Sequence, residues 1–195
     1  MKKIQLLKQT LLASVLTAAC ATSQAETWKY ALEEVKGDIQ DIYAQEFKRR
    51  ISAKTNGEVK VDIYHYGTLG TSGDVTELTA INAIQFANAT PGHLGSFVPE
   101  VQLFSIPFIL SDNPEVNKEM LTSSDVIFND LAGDFERRGI QLMTMYPEGD
   151  QVWTTSKLIE SPADFNNFKM RVMVSPLLLE SYKDFGASPT AMPFS

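Results

Sequence analysis

Trp28-Lys29-Tyr30-Ala31-Leu32, then residues 37–55 with Ile39, Ile42, Tyr43, Phe47 and Ile51 at helical spacing, then Asn56-Gly57 and Val59-Lys60-Val61-Asp62-Ile63: this run decides the fold. The first stretch reads as a strand and the second as an amphipathic helix ended by Asn-Gly. In the third, Val59, Val61 and Ile63 alternate with charged residues, the period of a half-buried strand. Strands alternating with helices imply an α/β domain with a largely parallel sheet. Ligands of such sheets sit beyond the carboxyl ends of the strands. Here those ends are Glu33-Glu34 and, after a third strand expected over 84–89, Thr90 to His93.

Outward from this unit, residues 67–73 form a glycine-rich turn, and Asp74 can cap a helix running to about Asn82. Residues 101–110 are apolar and irregular around Pro107. A polar helix is expected over 114–138, stopped by Gly139, with a strand over 140–146. Pro147-Glu148-Gly149-Asp150 reads as a hinge or turn, and two further strand–helix pieces are expected over 152–168 and 169–185.

In the second of these pieces, Arg171 stands alone as a fork-shaped cation among Met170, Val172, Met173 and Val174, before Pro176 opens a helix. Such a charge needs an anion. An ion pair within the protein would supply one, and so would a bound carboxylate, which matches the guanidinium's two-pronged geometry. Glu33 and Glu34 have an equally plain alternative as a solvated loop pair, and His93 as a helix-capping or surface residue.

Lys2, Lys3 and Lys8, the apolar run 11–16 and Ser23-Gln24-Ala25 have the layout of a cleavable secretory signal peptide over residues 1–25, too short to span a membrane. A lipoprotein signal acylated at Cys20 is the competing assignment. Cys20 is the single cysteine, so the mature chain has no disulfide framework, thiol nucleophile or sulfur-ligated zinc. The leader holds three lysines and no acid, which leaves 14 cations against 24 acids, a net of −10. An acidic, exported chain is a poor partner for nucleic acid or anionic lipid, and no run beyond the leader is long enough to insert stably in a membrane. The expected location is the periplasm.

No Gly-x-Ser-x-Gly elbow, His-Glu-x-x-His or phosphate-binding glycine loop occurs, and the only histidines are His65 and His93, so nothing points to an enzyme, a metal site or a cofactor. The division expected is a signal peptide over 1–25, a first α/β lobe over 26–147 and the start of a second lobe over 148–195. The second would own fewer than 50 residues, too few for an independent core, so the sequence is expected to stop inside a domain.

The pattern Lys169-x-Arg171-Val172, Pro176, Tyr182, Gly186-Ala187-x-Pro189-Thr190 and Met192-Pro193-Phe194-Ser195 resembles the signature of the solute-binding subunits of tripartite ATP-independent periplasmic (TRAP) transporters. Gly67-x-Leu69-Gly70, Pro99-Glu100-Val101 and Phe104-x-x-Pro107-Phe108 match in order and spacing, and the resemblance covers residues 27–195. It implies a two-lobe periplasmic-binding-protein clamshell of type II-like α/β architecture, its second lobe incomplete here. It also implies capture of a small organic acid, delivery to the TRAP permease subunits in the membrane, and Arg171 as the anchor of the ligand carboxylate.

Within the family the resemblance is nearest to the ectoine-binding branch, through Trp28-x-Tyr30-Ala31-x-Glu33-Glu34, Pro91-Gly92-x-x-Gly95-Ser96 and Tyr146-Pro147-Glu148-Gly149. That branch implies Glu34 as the partner of a cationic ring, with aromatic residues around it. His93 stands where the branch has a phenylalanine, and Phe194 where it has a tryptophan. The sialic-acid branch fits worse, because its second arginine aligns with Gln151 or Val152. The ligand expected is therefore an ectoine-like zwitterion or a monocarboxylate touching Arg171, Glu34, Phe194, His93 and Glu33. A C4-dicarboxylate receptor and a ligand-sensing subunit of a signalling system are the alternatives.

Overall fold

The computed structural model describes residues 26–193, so the expected signal peptide, Cys20 and Phe194 lie outside the described residues. The opening strand–helix–strand unit forms as β1 (Glu26–Ala31), α1 (Ile39–Lys54) and β2 (Val59–Tyr64). β1 and β2 pair in parallel from Glu26 opposite Val59 to Ala31 opposite Tyr64. β3 (Phe86–Ala87) adds to the other side of β1, with Tyr30 opposite Phe86, giving the order β2-β1-β3. The ladder is shorter than the expected 84–89, although the Gln85 and Asn88 amides still donate to the carbonyls of Lys29 and Ala31.

α1 buries a different stripe from the one its apolar residues suggest. Ile39, Ile42 and Tyr43 are exposed, and Gln40, Asp41 and Ala44 are buried instead. Ala44, Phe47 and Ile51 cover Tyr30, Val61 and Phe86, and the Phe47 ring meets Tyr30 edge-on at 5.3 Å. The first turn of the stripe is polar because Gln40 and Asp41 hold the loop after β1, described below.

α2 (Ser72–Ala80) is capped by Thr71, not by Asp74. Asp74 sits three residues into the capping box, accepts the Thr71 amide at 2.7 Å, and completes the reciprocal bond. After α3 (Pro91–Leu94) a 3-10 turn covers Pro99–Ser105. The helix expected over 114–138 is broken into α4 (Pro114–Ser123), a π-helical turn (Val126–Leu131) and α5 (Ala132–Glu136). Gly139, at φ +82°, ends it as expected.

The strands expected at 140–146 and within 152–168 are not formed, and 140–155 carry no regular structure. Ile140, Leu142 and Met145 instead pack on the helical cluster of Val98, Val101, Leu131 and Phe135. Of the 152–168 piece only a 3-10 turn, Pro162–Phe165, is present. The last piece forms as β4 (Lys169–Val172), α6 (Pro176–Asp184) and β5 (Ser188–Ala191), with β4 and β5 parallel and Arg171 opposite Thr190. Phe165, Val172, Leu178, Tyr182 and Ala187 make its core. This second sheet shares no strand with the first. Gln102 links the two: its Oε1 accepts from the Ser175 hydroxyl at 2.9 Å and the Leu177 amide at 3.2 Å.

Candidate ligand-binding site

β1 ends at Ala31 and the chain turns through Glu33 and Glu34 before α1, so both carboxylates leave the sheet at its carboxyl end. Glu33 folds inward, its side chain only 4 % exposed. Its Oε2 accepts the Thr90 amide at 2.7 Å and lies 3.1 Å from His93 Nδ1. Thr90 and His93 come from the start of α3, beyond β3, so the two strand ends meet in one cluster. Glu34 bonds differently: its Oε2 accepts the Gln40 amide at 3.0 Å.

Gln40 holds this arrangement together. It is 1 % exposed, and its Oε1 accepts the Glu33 amide at 2.9 Å while its Nε2 donates to Glu148 Oε1 at 2.9 Å. Glu148 itself is exposed, on the turn expected as a hinge. Loss of solvation on its protein-facing side raises its carboxyl above the usual range, and the charges of Glu34 and Glu33 raise it further against the Gln40 hydrogen bond. Tyr146, two residues earlier, stacks on Tyr43 of α1 with ring centres 5.1 Å apart and planes 13° off parallel. Burial first, then the nearby Glu148, Tyr30, Tyr43 and Glu34, push the Tyr146 phenol upward.

Two buried atoms of the cluster have no hydrogen-bond partner among the described residues: Glu33 Oε1 and His93 Nε2. His93 Nδ1 faces the Glu33 carboxylate, and the Thr90 hydroxyl lies 3.1 Å from it. With Nδ1 turned to the carboxylate and the hydroxyl, Nε2 is the ring atom left without a partner, an acceptor in the neutral ring and a donor in the protonated one.

Arg171 stands on the second sheet with its side chain exposed, and its Nε donates to the Met192 carbonyl at 2.8 Å. An open depression of about 770 Å³ beside it is lined by Lys169, Arg171, Lys183 and Thr190. Met173, one residue past β4, reaches the first cluster: the Thr90 hydroxyl donates to its Sδ at 3.7 Å. A Cβ on Gly92 would stand 2.7 Å from the Met173 methyl, so a side chain there would push the flexible Met173 tip aside. Of the five residues expected to touch ligand, the structure joins Glu33 to His93 and ties Glu34 to them through Gln40. Arg171 lies on the neighbouring sheet, and Phe194 falls outside the described residues. Gln40, Tyr43 and Glu148 were not foreseen as site residues. Glu148 had a signal in its place in the hinge motif, and Gln40 in the run Gly37-Asp38-x-Gln40-Asp41, which also resembles the ectoine-binding branch.

Another acid, Asp41, secures the start of α1. Its Oδ1 lies 2.9 Å from His65 Nε2, and its Oδ2 accepts the Gly37 amide at 2.9 Å. Those two bonds, His65 foremost, hold its carboxyl below the usual range. No group of acids, histidines and cysteines able to hold a metal occurs among the described residues, and no helix among them is long and apolar enough to cross a membrane.

Comparison with known proteins places the geometry in context. Residues 31–195 match the family model described as bacterial extracellular solute-binding protein, family 7. The chain is 37 % identical over 194 residues to the ectoine-binding periplasmic protein TeaA of Halomonas elongata, covering all of this chain and 56 % of that protein. It is 38 % identical over 182 residues to the ectoine/5-hydroxyectoine-binding periplasmic protein UehA of Ruegeria pomeroyi, covering 93 % of this chain and 53 % of the relative. The high-resolution structure of the periplasmic ectoine-binding protein of the Halomonas elongata TeaABC TRAP transporter superposes with a TM-score of 0.80 at 40 % identity, over 86 % of this chain and 54 % of that one. The chain thus spans about half the length of the relatives it matches, and over that half it has their α/β periplasmic-binding-protein fold.

Proposed function

The chain belongs to family 7 of the bacterial extracellular solute-binding proteins, a family of receptors and not of enzymes, and on that footing we propose that it acts as the periplasmic solute-binding subunit of a TRAP transporter. Its ligand is a small zwitterion of the ectoine kind, bound by its carboxylate at Arg171 and by its cationic end at Glu34. Residues 26–147 make one lobe and 148–195 begin the other. Ligand that touches both lobes favours the closed form by its differential contacts, and the closed form is what the permease subunits receive.

One observation carries the choice of ligand: the charges are sorted by sheet. Glu33, Glu34 and the Glu148 carboxylate gather beyond β1 next to the Tyr43–Tyr146 stack, and no salt bridge to Glu34 or Glu148 occurs among the described residues. Lys169 and Arg171 line the depression on the second sheet together with Lys183, whose ammonium is paired with Glu180 at 2.7 Å. A molecule with one negative and one positive end suits both faces. A dianion would leave two carboxylates opposed in a closed cleft. Identity to the two ectoine-binding relatives supports the same class.

The test is calorimetric titration of the mature protein with ectoine, 5-hydroxyectoine and succinate, repeated with Glu34→Gln. The zwitterions bind more tightly than succinate, and the variant loses about tenfold or more in zwitterion affinity, as expected for an ionic contact in a closed cleft. Tighter binding of succinate than of either zwitterion by the wild type would instead favour a C4-dicarboxylate receptor.

A further inference from the structure

Glu148 is counted above among the gathered carboxylates but not as an anchor, and the local bonding aims a donor at it. Gln40 Oε1 is committed to the Glu33 amide, so the amide's NH2 face has to turn outward, and Glu148 is what it meets. Meanwhile the Gln40 backbone amide fixes Glu34. A single buried residue thereby holds three carboxyl-bearing residues in one place, one of them supplied by the segment between the two sheets.

The cluster also holds unpaired buried polar atoms. Glu33 Oε1, an acceptor, and His93 Nε2 have no partner among the described residues, and neither has Asn88 Nδ2, a donor just past β3. An unpaired buried acceptor costs free energy until a donor arrives. The groups acting on Glu148 supply none with a positive charge: Glu33 and Glu34 follow β1, Gln40 comes from α1, and Tyr146, which Tyr43 stacks upon, lies on its own segment.

We infer that Glu148 is a specificity-determining residue, the third carboxylate of the site, which sets the demand for a positively charged, hydrogen-bond-donating ligand end. This rests on the zwitterion reading of the preceding section. Its exposed position leaves it open to ligand, and its place on the turn ties charge selection to the segment that joins the lobes. Its carboxyl, raised by lost solvation and by Glu34 and Glu33, takes up a proton at a higher pH than an ordinary glutamate. Affinity for a cationic end therefore falls from the acid side.

Glu148→Gln in the mature protein removes the charge while its amide oxygen can still accept from Gln40. Ectoine and succinate are titrated calorimetrically into wild type and variant between about pH 5 and pH 8, with melting curves confirming the fold. The variant is expected to bind ectoine about fivefold more weakly at neutral pH, to discriminate less against succinate, and to lose most of the acid-side fall seen in the wild type. A wild type that prefers ectoine, with a variant matching it within about twofold at every pH, overturns the role of Glu148 and leaves the ligand class standing. A wild type that prefers succinate overturns the ligand class and this inference together.

Discussion

Burying a glutamine is costly unless its amide is satisfied, and Gln40 satisfies both ends while its neighbour Asp41 does the same against His65 and Gly37. That pair explains why the apolar stripe of α1, legible at Phe47 and Ile51, misleads in its first turn. A period of 3.6 identifies a face but not a polar residue one of whose partners lies more than 100 positions away. Asp41 gives a pH prediction. Its folded value is depressed, so its bonds contribute stability above about pH 4, which is lost as pH falls through the folded value. Asp41→Asn should therefore lower the melting temperature at neutral pH and flatten its acid-side decline, and an unchanged slope below about pH 4 would exclude Asp41 from the acid transition. For Arg171 the proposed role predicts that Arg171→Lys keeps the fold, since the side chain is exposed, but weakens ectoine binding by about tenfold or more, because an ammonium cannot reproduce a bidentate fit. Calorimetry showing unchanged affinity would leave Arg171 a structural residue, its bond to the Met192 carbonyl included.

Among the elements, those whose signal is local were legible. β1, α1, β2, β4 and α6 appear where alternation, helical spacing and Pro176 put them. Thr71 and Asp74 exchange the roles expected of a cap, because the capping box needs the acid three residues inside. The strand expected over 140–146 was not legible, since its spaced apolar residues serve equally to pack against helices, and Ile140 and Leu142 do that. Likewise nothing in the polar run 114–138 announces the break after Ser123 or the π-helical turn that follows. Gly139 is the boundary on which the sequence and the structure agree. It has φ +82°, its amide bonds the Glu136 carbonyl, and a Cβ there would come within 2.7 Å of the Ala80 carbonyl oxygen. Gly139→Ala should then destabilise the protein by about 1–3 kcal/mol, through both the left-handed backbone and the clash. Urea denaturation measures it, and a loss below about 0.5 kcal/mol would mean that the turn relaxes at little cost.

At the scale of the whole molecule, the two sheets are joined by a long exposed passage and a small set of cross-contacts. Residues 150–158 are exposed throughout and 140–155 lack regular structure, whereas the β2-β1-β3 sheet is covered by α1 and a buried core. Gln102 with Ser175 and Leu177, and Met173 with Thr90 and Gly92, are what connect the halves beyond that passage. Backbone of this kind opens locally at low free energy, and a protease samples the open form. Lys157 and Leu158 are both exposed in it, and Lys157 is held by its ammonium's bond to the Asp164 carbonyl, its position 5.2 Å above the Phe168 ring and the Thr155 hydroxyl's bond to its carbonyl. Trypsin at low ratio should therefore cut first after Lys157, before any lysine or arginine of α1. If ligand draws the lobes together, saturating ectoine should slow that cut and leave the slower ones unaffected. Mass spectrometry of the first fragments decides the matter: early cleavage inside residues 28–64, with Lys157 intact, would show that the passage is ordered and the first sheet is not the stable part of the fold.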